Sequence, residues 1–144
     1  MGAVIDTTVF IHLDDSNPHP GQATSGHLIG RRLTERLDHD EEVAIASITA
    51  SELLHGVHRA NVEHRARREA FVESILTVVP ILDFDLLAAR AHARLWAELA
   101  RAGSDIGPHD RLVAATAISL GWRVVTTNVR HFERVPGLDV LDVH

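Results

Sequence analysis

Along this chain short β-branched runs alternate with helical patterns, and no two-residue hairpin turn joins one run to the next. Val4 and Ile5 form the first run, Val43 to Ser47 (VAIAS) the second, Val78 to Leu82 the third and Arg123 to Thr127 (RVVTT) the fourth; Leu138 to Leu141 offers a fifth. Strands separated by helices are joined by crossovers, and crossovers of one hand build a parallel sheet with helices on both faces. The expected fold is therefore α/β: a three-layer α/β/α sandwich around a central, mostly parallel sheet of four to five strands. At 144 residues the chain is long enough for one continuous core and too short for two, so residues 1–144 are expected to form a single domain.

The helical segments carry their own punctuation. Thr7 to Ile11 supply apolar positions for an opening helix, and Asp14 to His27, dense in Pro, Gly, Asn and Ser, reads as an exposed loop before a helix over Leu28 to Leu37. After the second strand, ITASELLHGVHRA places Glu52 three residues beyond Thr49, the spacing of a capping box. The helix is expected to continue through NVEHRARREAFVESILT, where Glu63 with Arg67 and Arg65 with Glu69 are spaced for ion pairs on a solvated face. Asp85 is placed to cap a long helix from Leu86 to Ala102 with Leu87, Ala91, Leu95 and Leu99 along one side, and Gly103 to stop it. Pro108 suits the first turn of a helix ending at Leu120 and closed by Gly121, and Asn128 to Phe132 form a short turn or helix.

Composition removes several chemistries. There is no cysteine, hence no disulfide, thiolate metal site or thiol nucleophile. All 14 basic residues are arginines, so no amine is available for a Schiff base, a Walker loop or the lysine of haloacid-dehalogenase-type phosphatases. That last absence weighs against reading VPILDFD, with Asp83 and Asp85, as a phosphatase motif. A formal charge of −6 speaks against coating nucleic acid through a general basic field, but a locally acidic site that binds a cation can still act on nucleic acid. No run reaches the length of a membrane span and no secretory signal opens the chain, so a cytoplasmic protein without a membrane partner is expected.

Three carboxylates fall near strand ends or helix starts: Asp6 after the first strand, and Glu52 and Asp110 in the expected first turns of later helices. Each has a local explanation. Asp6 is a favoured cap residue, Glu52 completes a capping box, and Asp110 complements a helix dipole behind Pro108. Together they have another, because in an open parallel sheet the carboxyl ends of the strands face the ligand crevice. Carboxylates brought close repel unless a proton or cation separates them, and oxygen donors without sulfur suit Mg²⁺ or Mn²⁺. Such an ion polarises a phosphoryl oxygen and activates water, which points to a phosphate-ester substrate. Glu52 with His55 gives one Glu-x-x-His pair where di-iron bundles need two, and His109 beside Asp110 is a candidate proton carrier in a chain with 11 histidines.

The ordered set IDTTVFI, SELLHG, IGPHDRLVAATAISLGW and VVTTNVRHFERVPGLDVL resembles the PIN-domain ribonucleases, specifically the VapC-type toxins of toxin–antitoxin pairs, over nearly the whole chain. The resemblance implies a PIN fold and an Mg²⁺- or Mn²⁺-dependent endoribonuclease. It implies Asp6 and Asp110 as principal metal ligands, Glu52 completing the acidic cluster, and Thr7 as the hydroxyl beside the first aspartate. A fourth acidic position, in family members that have one, falls near Asn128, which is neutral here, so one cation is expected to be held well and a second to be weak or to arrive only with the RNA. Arg111 and Arg130 are candidate phosphate contacts. The implied partners are RNA, a cognate antitoxin protein and a second copy of the chain in a homodimer. The alternatives are a PIN-like binding module that has lost catalysis and a metal-dependent phosphatase.

Overall fold

The computed structural model describes residues 1–14 and 30–144. Strand β1 (Gly2–Ile5) leads into helix α1 (Thr7–Leu13); a helix over 30–36, α2, precedes β2 (Glu42–Ala46). Helices α3 (Ser47–Arg59) and α4 (Val62–Val78) follow, then β3 (Ile81–Leu82), α5 (Leu86–Ala102), α6 (Pro108–Leu120), β4 (Arg123–Thr126), α7 (Val129–Phe132) and β5 (Val140–Asp142). The five strands form one all-parallel sheet in the order β3-β2-β1-β4-β5. Val4 stands opposite Ala44 on one side and Val124 on the other.

Alternation along β1 divides the core. Ala3 and Ile5 join Val9 and Phe10 of α1, Leu53 and Val57 of α3, and Val72 and Ile75 of α4 on one face of the sheet. Val4 points the other way, into Leu95 and Leu99 of α5 and Val113, Ala114 and Ala117 of α6. Two apolar layers flanking one sheet make the expected three-layer sandwich. Among the described residues, no helix is long and apolar enough to cross a membrane.

Several local expectations hold to the residue. Asp85 accepts a hydrogen bond from the Ala88 N–H at 2.9 Å to start α5, a cap of about 1 kcal/mol. Gly103 ends that helix at φ 66°, a left-handed conformation that glycine takes without steric cost.

Others are corrected. The helix after β2 begins at Ser47, its cap position at Ala46, three residues ahead of the expected cap Thr49, and no side chain caps it. Thr49 and Glu52 therefore do not form a capping box: Thr49 is buried with its hydroxyl unpartnered, and Glu52 lies in the second turn. The run from 48 to 77 is not one helix, because it breaks at Ala60 and restarts where Asn61 accepts from the His64 N–H. Glu63 with Arg67 and Arg65 with Glu69 do not pair; Arg65 donates to the Ala60 carbonyl, and Arg68 pairs with Asp14 at 3.1 Å. Val78 belongs to α4, which leaves β3 only two residues, and β5 begins at Val140 rather than Leu138. On α5 the buried stripe is Ala88, Ala91, Leu95 and Leu99, with Leu87 63% exposed, since the helical repeat puts Ala88 over the core. The loop expected from Asp14 to His27 and the start of the Leu28 to Leu37 helix lie outside the described residues, apart from Asp14.

Candidate active site

Strand order decides where a ligand crevice opens. From β1 the chain winds outward to β2 and β3, then crosses back to place β4 on the other side of β1, so the winding reverses between β1 and β4. The carboxyl ends at such a switch point flank a natural crevice. Asp6 follows β1 at this point, its backbone N–H bonded to the Val125 carbonyl of β4 at 2.8 Å.

Asp6 is 3% exposed. Its Oδ1 accepts from the Thr7 N–H at 2.9 Å, and its Oδ2 accepts from the hydroxyls of Thr8 at 2.9 Å and Thr126, the last residue of β4, at 2.8 Å. Asp6 is thus both a helix cap and the centre of a polar cluster spanning the switch point. Burial pushes its carboxyl above the usual aspartate range and the charge of Asp110 pushes the same way, while the hydroxyls of Thr126 and Thr8 and the Thr7 N–H oppose them. Its buried carboxylate stands in the field of another and has neutral donors only.

Glu52 reaches the cluster from α3 through Thr7, whose hydroxyl donates to Glu52 Oε1 at 2.8 Å. Its Oε2 faces His109 Nδ1 at 3.6 Å, beyond hydrogen-bonding distance. Asp110 stands in the first turn of α6, which Gly107 launches at φ 95°, a value a side chain would strain. Asp110 Oδ2 lies 2.8 Å from His131 Nδ1 on α7. No three His, Cys, Asp or Glu side chains form a ready-made metal cage among the described residues. The donor set nevertheless suits a hard divalent cation: it is carboxylate and hydroxyl oxygen, and the buried charge on Asp6 has no counter-charge.

The remaining candidates divide. Asn128 lies beside the cluster, its backbone N–H donating to Thr126 Oγ1 at 2.9 Å and its side chain unused as a cap. Arg130 is exposed on α7. Arg111 faces α5 instead: it is 8% exposed, pairs with Asp105 and lies 5.1 Å from the Trp96 ring, so its guanidinium is committed to packing. His55 and His58 are exposed, and so is Asp83. The sequence reading missed Thr8, Thr126 and His131. Thr126 was signalled by its place at the end of a strand run, and His131 by standing three residues after Asn128 on one short helix.

The family model described as PIN domain matches residues 3–138. The chain belongs to the PIN domain family. It is 35% identical over 144 residues to Ribonuclease VapC1 of Rickettsia felis, covering 99% of this chain and 97% of that one. To the tRNA(fMet)-specific endonuclease VapC of Salmonella typhimurium it is 40% identical over 100 residues, 69% of this chain and 74% of the relative. The DNA-bound VapBC crystal structure from Salmonella typhimurium superposes with a TM-score of 0.81 at 32% identity, covering 100% of this chain and 99% of that one. This PIN domain thus has the three-layer α/β architecture that its sequence suggested, with all five strands parallel where a mostly parallel sheet was expected.

Proposed function

We propose that this PIN domain is a divalent-metal-dependent endoribonuclease, the toxin of a toxin–antitoxin pair, in which Asp6, Glu52 and Asp110 hold the cation. The observation that carries this reading is Asp6, a nearly buried carboxylate at the switch point of the sheet, within the field of Asp110 and without a counter-charge. Relatives named as VapC ribonucleases support the substrate class. The oxygen-only donor set favours Mg²⁺, with Mn²⁺ as a substitute. When bound, the cation supplies positive charge for a phosphoryl oxygen and for an attacking water. Thr8 and Thr126 hold Asp6 in place, Thr7 orients Glu52, and in this reading exposed Arg130 and neighbouring Asn128 contact the phosphate. No side chain need become covalently attached.

The proposed antitoxin contact is a cleft beside the site. A cleft of about 240 Å³ between α1, α3 and α4 is lined by Phe10, Leu53, Phe71 and Val72, by Thr7 and Glu52 of the site and by the Asp14–Arg68 ion pair. An apolar antitoxin helix with one basic side chain would fill it and neutralise Glu52. Action on RNA in the cytoplasm and a homodimer belong to the same reading. Neutral Asn128 favours one second reading, a binding module without catalysis.

Cleavage of tRNA and messenger RNA with Mn²⁺ decides between them. The nuclease reading expects cutting by the native chain, none with chelator and none by Asp6→Asn; cutting that ignores chelator, or no cutting by any form, overturns it.

A further inference from the structure

The hydrogen bonds around the three carboxylates share a pattern: on each, an oxygen is engaged by protein donors while another retains accepting capacity. Asp6 Oδ2 receives two hydroxyls, whereas Oδ1 receives a single N–H. Glu52 Oε1 receives the Thr7 hydroxyl and Oε2 has no hydrogen bond among the described residues. Asp110 Oδ2 is engaged by His131 and Oδ1 has no hydrogen bond among the described residues. With the Asp110 carboxylate oxygen as acceptor, the pair takes the tautomer in which His131 Nδ1 donates.

We propose that His131 is a positioning residue that makes Asp110 a one-oxygen donor, tuning the acidic cluster toward small six-coordinate ions and away from calcium. The inference rests on the divalent-cation reading above. Magnesium and manganese accept single oxygens from several carboxylates, with water or phosphate completing an octahedron. Calcium takes more oxygens and commonly grips both oxygens of one carboxylate. A carboxylate whose second oxygen already accepts an imidazole N–H has less accepting capacity left there for calcium to share, whereas magnesium needs only the other oxygen.

The fold fixes the imidazole for this task. The next residue, Phe132, is completely buried beneath α7, and Val135 is 3% exposed, so the backbone carrying His131 is anchored in the core. The His131 side chain itself is 44% exposed and contributes little to that core. Thr7, Thr8 and Thr126 come with the strand ends that build the crevice. His131 reaches Asp110 from 21 residues away, as the one imidazole hydrogen-bonded to a cluster carboxylate among the described residues.

Titration calorimetry of the full chain with Mg²⁺, Mn²⁺ and Ca²⁺, without RNA, tests this on native protein, His131→Ala and His131→Gln. In His131→Ala, Ca²⁺ binding should tighten by roughly fivefold or more while Mg²⁺ changes by less than about twofold, because Asp110 becomes free to offer both oxygens. His131→Gln, whose amide can donate the same bond, should behave as native. Circular dichroism of both variants confirms that the fold is retained. Unchanged Ca²⁺ binding in His131→Ala overturns the inference, as does a parallel weakening of all three ions. Selective loss of Mn²⁺ overturns it too, since His131 would then be a direct nitrogen ligand. Native protein that binds no divalent ion sinks the nuclease reading itself; native binding that His131→Ala leaves untouched sinks only the role of His131.

Discussion

The two ends of the sheet handle a carboxylate in opposite ways. At the amino ends of the strands, Glu41 lies just before β2, and Arg123, the first residue of β4, grips both its oxygens at 2.6 Å. The Arg123 guanidinium holds the Glu41 carboxyl below its usual range. At the carboxyl ends Asp6 is also buried, yet it receives two hydroxyls and an N–H and faces another carboxylate. One end matches charge with charge and contributes stability; the other leaves negative charge unmatched and gives up stability for a place where a cation can act.

Asp6→Asn should break that contrast most strongly. Loss of a principal ligand lowers RNA cleavage by about a thousandfold or more, read as the rate of cutting a labelled RNA in Mn²⁺. Without metal the same substitution should raise the melting temperature at pH 8, by about 3 °C for a gain near 1 kcal/mol, because a buried charge is gone. A gain in both activity and stability, or a loss of both, would contradict the assignment.

The pH dependence has opposite signs at the two ends. Asp6 has a raised carboxyl, so its contribution is complete below the usual aspartate range and is lost as pH rises through its folded value. Glu41 has a lowered carboxyl, so its contribution is present above the usual glutamate range and lost as pH falls through its folded value. The stabilising effect of Asp6→Asn should therefore shrink toward acid pH, measured by denaturant unfolding between pH 4 and 8 without metal.

Arg123→Met tests the amino end. It strands Glu41, whose side chain is 6% exposed, and should cost about 2 kcal/mol in urea unfolding while RNA is cut at the native rate. Smallest is Thr126→Val, which removes one hydroxyl from Asp6 at nearly constant volume. It should cost about 1 kcal/mol and move the acid limb of metal-dependent cleavage to higher pH, because a bond favouring the charged form is lost. An acid limb that stays put would separate Thr126 from the site.

Much of this chain was legible residue by residue. The Asp85 cap, the Gly103 stop and the Pro108 start each act within one or two turns of backbone, and the β-branched runs marked all five strands to within a few residues. Asp6, Glu52 and Asp110 could be nominated because strand ends in a parallel sheet share one rim. The partners of those carboxylates could not. Glu52 shows why: a helix capped by Thr49 would make it half of a capping box, whereas the start at Ser47 places it in the second turn, where it meets Thr7, 45 residues away. Likewise Thr126 meets Asp6 across 120 residues because β4 crosses back beside β1, and His131 meets Asp110 because Phe132 anchors α7 in the core. Periodicity and capping chemistry fix what a segment becomes, since their causes lie within a few residues. Which hydroxyl or imidazole faces which carboxylate depends on strand order and helix phase, and those are set only when distant apolar faces pack together.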